Sequence, residues 1–283
     1  MDAVNCINTL DDLGLILAVP TEPTFGIVDL AADAGFLCQF YGGMSQANME
    51  WFSLFLGSSW QADWDQGPIL LDLTSSPYFA RDLVAMMEAK PLGVLIQSNA
   101  SSAEILRRCQ RWLFSSDASI LRFYEPRMLT PLIAAMTEGQ RSDLVRPGES
   151  WAWHNGHEWV QYQSTSENPE AVDKTPIVTA EQLKDVPWYR LAEHAREYAE
   201  YYRGNLNTHS DPKAWVMSCL MKANESGFKT KADQERWLRL AIRYGESFYK
   251  QDAFKTVMEQ QALTPAEQLT AMESNSETLN AQL

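Results

Sequence analysis

The chain has 283 residues, of which 45% are hydrophobic and 11% aromatic, which makes it a globular protein with core material for one large or two ordinary domains. A formal charge of −14 argues against nucleic acid as a partner, because binding the phosphate backbone needs clustered Lys and Arg. No apolar run approaches the length of a bilayer span, so membrane insertion is not expected.

The charge is unevenly spread. From Met1 to Ala80 there is no Lys or Arg, while ten Asp or Glu occur, and the first basic residue is Arg81. The apolar run 13–19 follows Asp11 and Asp12 instead of the positive start of a signal peptide, so a cytoplasmic location is expected. Cysteines at 6, 38, 109 and 219 form no Cys-x-x-Cys pair, which predicts reduced thiols, with neither a zinc site nor a disulfide framework. An acidic, Trp-rich first lobe has two readings: attraction for a basic partner, or solubility alone.

Residues 1–23, ending in Pro20 and Pro23, predict a short helix or an irregular arm. Residues 25–30 and 36–41 read as buried strands, the second closed by Gly42-Gly43. Asp29, at the end of the first, is expected to serve a turn or cap. Residues 45–56 read as a helix bearing Met49, Trp51, Phe52, Phe55 and Leu56, with Trp60 and Trp64 in the loop beyond. Trp51, Phe55, Trp60 and Trp64 are either core or a groove for a partner, since such rings are favoured interface anchors.

A third strand is predicted at 69–73. Ser76-Pro77 opens a helix, and a fourth strand follows at 92–96. Ser101-x-x-Glu104 reads as a capping box for a helix that buries Ile105, Leu106, Cys109, Trp112 and Leu113 and turns Arg107, Arg108 and Arg111 outward. Alternating strands and helices predict an α/β amino-terminal lobe with a mixed, partly parallel sheet. Neither Gly-x-Gly-x-x-Gly nor a Gly-Lys-Ser/Thr phosphate loop occurs, so no nucleotide or other cofactor is predicted.

The corner Leu121-Arg122-Phe123-Tyr124-Glu125-Pro126-Arg127 follows. Residues 120–124 nearly alternate and read as a strand, which Pro126 must end. A helix with Met128, Leu129, Leu132, Ile133 and Met136 comes next, and Thr130-Pro131 is a second plausible helix start. Arg122, Glu125 and Arg127 gather at the join, as a lock on the corner or as part of a binding site at a strand end.

Residues 114–136, centred on Phe123-Tyr124-Glu125-Pro126-Arg127, resemble the signature of the type VI secretion adaptor family known as domain of unknown function 4123, with a likeness covering about residues 24–150. The resemblance implies a cytoplasmic chaperone of a bacterial secretion system, which binds an effector toxin and helps load it onto a VgrG-type spike protein. Pro131 departs from the pattern and implies a displaced helix start or a kink.

Residues 151–160 read as a hairpin turned at Asn155-Gly156, with His154 and His157 facing each other. The two supply too few ligands for a metal even with Glu158, so no metal site is predicted. Residues 164–178 read as a linker. Beyond it an all-α lobe is predicted, with a stripe of Trp188, Leu191, Ala195, Tyr198 and Tyr202 and further helices started by Asp211-Pro212 and Thr230-x-x-Asp233. The domains are therefore 1–163, linker 164–178, helical 179–272 and a frayed tail 273–283.

The function these features imply is non-catalytic effector loading through protein–protein contacts. The alternatives are a small hydrolase using Asp29 or Glu125 with His154 or His157, for which no nucleophile elbow or Cys–His signature is found, and a self-assembling structural subunit.

Overall fold

A computed structural model describes residues 2–44, 49–114, 119–164, 178–260 and 262–280. The chain divides into two compact units, one of residues 11–187 and the other of residues 1–10 with 188–283. The linker expected at 164–178 lies, except for Ser164 and Val178, outside the described residues.

The first unit is built on one seven-stranded sheet in the order β1-β7-β6-β5-β2-β4-β3. The strands are β1 (Ile16–Leu17), β2 (Phe25–Asp29), β3 (Trp51–Ser53), β4 (Pro68–Asp72), β5 (Gly93–Gln97), β6 (Ser150–His154) and β7 (Trp159–Gln163). Every ladder is antiparallel, so the expected mixed, partly parallel sheet is corrected. The alternation of strand and helix is nonetheless present. β4, helix α3 (Pro77–Ala89) and β5 form a crossover whose two strands run the same way, but β2 lies between them and opposes both.

Side chains alternate across the sheet, so each strand feeds both faces. Val28, Ile69, Leu71, Leu95 and Ala152 are buried in one cluster with Phe36 and Phe40 of α2 (Phe36–Met44) and Phe79, Leu83 and Met87 of α3. The opposite face buries Phe25, Ile27, Val94, Ile96, Trp151 and Trp153. On that side lie α4 (Ser102–Trp112), α5 (Pro126–Ala135) and α6 (Glu138–Leu144). The strands approach so closely that a Cβ on Gly93 would stand 1.9 Å from the Ile27 carbonyl oxygen.

Three local expectations are overturned. Residues 36–41 are helical: Phe36 and Phe40 are fully buried with rings 6.1 Å apart while Cys38 is exposed, whereas a strand would bury Cys38 on the same face as both rings. Within the stretch expected as helix 45–56, the described residues include β3, paired to β4 with Trp51 opposite Leu71. Residues 45–48 lie outside the described residues. The strand expected at 120–124 is reduced to one bridge between Ile120 and Phe114 followed by a turn, because Phe123 leaves the ladder direction to pack its ring 6.1 Å from Trp151.

The 151–160 hairpin forms with the expected arms, but His154 opposes Trp159 and His157 sits within the four-residue turn. There the Asn155 side chain accepts from the backbone N–H groups of His157 and Glu158.

The second unit is helical. It includes α8 (Pro212–Glu225), α9 (Lys231–Tyr244), α10 (Asp252–Met258) and α11 (Pro265–Asn280), and most of α1 (Ala3–Asp12) and α7 (Ala180–Tyr201). Asp211 and Thr230 cap α8 and α9 by accepting from Ala214 N–H and Asp233 N–H. Trp237 is the hub of the core, with ring centroids 5.1 Å from Phe228, 4.8 Å from Phe248 and 5.5 Å from Tyr249. α11 continues through the stretch from Glu273 where a frayed tail was expected; residues 281–283 lie outside the described residues.

Candidate functional site

At the corner before α5, Glu125 is the N-cap of the helix and its side chain accepts from Arg127 N–H. Pro126 occupies the first helical position, where a missing N–H costs nothing. Pro131 is inside α5, so the second start expected at Thr130-Pro131 does not occur. The helix forgoes one hydrogen bond there instead.

The charged group differs from the trio expected. Arg122 pairs with the buried carboxylate of Asp29, at the end of β2, and lies 3.7 Å from Glu125. Arg127 is exposed and makes no ion pair among the described residues. Asp29 also caps the short 3-10 turn that follows β2, accepting from Ala31 N–H at 3.1 Å. Tyr124 is buried beside this group, and burial, with the charge of Asp29 added, holds its hydroxyl well above the usual range against the opposing effect of Arg122. Phe123 is fully buried, edge-on to Tyr124. Of the six motif residues, Phe123, Tyr124 and Pro126 are core, Glu125 is a cap, Arg122 is a half-exposed clasp, and Arg127 is exposed with no ion pair among the described residues.

Of the three arginines expected to face outward on α4, Arg107 and Arg111 are exposed, whereas Arg108 is buried; Arg108 and Arg111 both reach carboxylates in a polar network. Arg108 is only 5% exposed and binds both carboxylate oxygens of buried Glu149, at 2.8 and 2.7 Å. Ser98 Oγ and the backbone N–H of Arg146 donate to the same carboxylate. Arg111 and the indole N–H of Trp112 donate to Asp143, which is also buried. The signal for Arg108 was available: residues 105, 108, 109 and 112 follow the spacing of one helix face, and all four are buried. The expected capping box is not made, since the Ser101 side chain does not bond the helix; Thr137 and Gln140 form one at α6. Beside Arg108, burial pushes the Cys109 thiol up to about 12, in a setting that disfavours the reactive thiolate.

The four aromatic candidates separate by burial. Phe55 is core: it is buried, and its ring lies where a Cβ on Gly67 would stand, 2.2 Å away. Trp51, on the end strand β3, and Trp64 are half-buried, with ring centroids 5.2 Å apart, and both pack on the cluster formed by α2, α3 and the sheet. Trp60 is 43% exposed and leans on Phe55, and Leu56 is 52% exposed. Trp60, and in part Trp64 on the 3-10 turn (Gln61–Gln66) that Trp60 precedes, therefore present indole surface to solvent.

The residues weighed for hydrolysis have structural roles, and Asp29 and Glu125 meet at Arg122 rather than at a histidine. Asp29 is clasped by Arg122, Glu125 caps α5, and His154 stacks edge-on to Trp159 at 5.6 Å. Among the described residues no group of three or more His, Cys, Asp or Glu is gathered for a metal ion. No helix among them is long and apolar enough to cross a membrane.

Residues 24–143, which run from the start of β2 to α6 and include both the corner and the aromatic face, match the family described as domain of unknown function, DUF4123. No curated protein and no solved structure gives a significant match.

Proposed function

We propose that this protein is a non-catalytic adaptor of type VI secretion, which binds an effector toxin in the cytoplasm and helps load it onto a VgrG-type spike protein. The observation that carries the reading is the aromatic surface of the segment 51–64, where Trp60, leaning on Phe55, and Leu56 are exposed and the Trp51–Trp64 pair is half-buried. Large indole surfaces left in water are the material of protein interfaces. The face lies within the residues that match the family, and the Phe123-Tyr124-Glu125-Pro126-Arg127 signature supports the same reading by its resemblance to secretion adaptors. In this reading the Arg122–Asp29 clasp and the Glu125 cap keep the scaffold rigid, and the chemistry is that of recognition.

The test is to purify the tagged chain gently from its host and weigh the intact complexes by native mass spectrometry. A stoichiometric complex with one much larger protein encoded near a spike gene is the expected result. Isolation as a lone chain, or as a self-assembly only, overturns the reading.

A further inference from the structure

The carboxylates around the Trp51–Trp64 pair have no cation of their own. Glu50, Asp63 and Asp65 are exposed, and none makes an ion pair among the described residues. Three other acids of the same unit are engaged: Asp29 with Arg122, Asp33 with Lys90, and Asp72 with the hydroxyls of Thr74 and Ser102. Glu50 precedes Trp51 in the chain, and Asp63 and Asp65 flank Trp64 on the 3-10 turn, so each indole of the pair has an exposed carboxylate as its chain neighbour. An indole face attracts a guanidinium or ammonium group through its quadrupole, and nearby carboxylates add to that attraction. An acidic segment would meet repulsion at each of these three positions.

We propose that this face takes a cationic segment of the partner protein, one in which Arg or Lys alternates with apolar residues. The cations lie against Trp60 and the Trp51–Trp64 pair between Glu50, Asp63 and Asp65, and the apolar residues lie against Leu56. The inference rests on the adaptor reading and assigns the chemical class of what the adaptor holds.

The experiment titrates the full chain, by tryptophan fluorescence and calorimetry, with a short peptide alternating Arg and Leu and with its Glu–Leu counterpart. The Arg–Leu peptide is expected to bind more tightly, and its binding to weaken as salt is raised. The Asp63→Asn/Asp65→Asn double variant and Trp60→Ala should each weaken it on the order of tenfold while leaving thermal unfolding unchanged, since all three side chains are at the surface. Equal binding of the two peptides, no binding of the Arg–Leu peptide, or full binding by the variants overturns the proposal. So does a dimer of the chain that Trp60→Ala dissolves, which assigns the face to a second copy. Capture from the host separates the two readings. A chain carrying Trp60→Ala, Asp63→Asn and Asp65→Asn together that retains the large partner at full stoichiometry overturns this inference alone, whereas a wild-type chain without a partner overturns the adaptor reading and leaves the peptide titration to decide the surface.

Discussion

The Arg122 guanidinium is bonded to the carboxylate of Asp29, 93 residues earlier in the chain, and so ties the start of α5 to the end of β2. The pair is asymmetric: the Asp29 side chain is 5% exposed and that of Arg122 52%. Asp29→Ala therefore removes a buried acceptor, with its bond to Ala31 N–H, but leaves a cation that reaches water. We expect a loss of about 1–2 kcal/mol by denaturant unfolding. Arg122→Ala leaves the buried carboxylate without its cation and should cost more than Asp29→Ala. Equal, negligible effects would show that the clasp is not structural.

Glu125→Ala removes the cap of α5 and should cost about 1 kcal/mol, read as a lower melting temperature. Arg127→Ala at the same corner should leave stability within about 0.5 kcal/mol, because the side chain is exposed and makes no ion pair among the described residues. A loss of partner capture by Arg127→Ala with stability intact would extend the interface to this corner.

Arg108 and Glu149 are both buried, so breaking the pair from one side is a different matter. Glu149→Ala leaves a guanidinium in the core, and also strands the donors of Ser98 and Arg146; about 3–5 kcal/mol should be lost. The double replacement Arg108→Met/Glu149→Leu should cost much less than Glu149→Ala alone. Chemical unfolding of the three chains measures it, and a double variant no better than the single one would show that the network does more than neutralise itself.

What was legible before the structure was local. β2, β4, β5 and the 151–160 hairpin have apolar content and turn chemistry that agree with their final environment, and Asp211 and Thr230 announce their helices by capping. Residues 36–41 did not, because Phe36 and Phe40 satisfy a strand alternation and a helical spacing of four equally well until Cys38 is known to be exposed. The direction of the ladders was hidden for a different reason. A strand, helix and strand in succession predict parallel neighbours only if nothing enters between them, and β2 enters between β4 and β5 from earlier in the chain. Glu149 and Asp143 escaped notice because their partners on α4 lie 41 and 32 residues away, a pairing that only the tertiary fold creates.

Gly93→Ala tests the closeness of the central strands. The added methyl carbon would meet the Ile27 carbonyl oxygen at 1.9 Å, and backbone cannot swing aside as a side-chain tip does. A loss above about 3 kcal/mol, or failure to fold, is expected. Gly204→Ala is the control, since nothing stands within 4 Å of its added Cβ, and it should change stability by less than about 0.5 kcal/mol. Similar unfolding curves for both variants would contradict the strand packing described.

In the helical unit, Arg236 of α9 and Glu273 of α11 form a two-pronged pair at 3.0 and 2.7 Å. The hydrogen bond from Arg236 holds the Glu273 carboxyl below its ordinary value of 4.5, against the raising effect of burial. A carboxylate depressed on folding contributes stability in full above its unfolded value, and loses it as the pH falls through its lower folded value. The contribution should thus be constant at neutral pH and vanish on acidification below about 4. Because Glu273 is 37% exposed, solvent screening limits the pair to less than about 1 kcal/mol. Glu273→Gln should reproduce that loss at neutral pH and flatten part of the acid limb of the stability curve. If the variant and the wild type run parallel through the acid range, the carboxylate carries no proton-linked stability, and the two helices are held by their apolar contacts and by the bonds of Arg236 to Ala266 and Thr270.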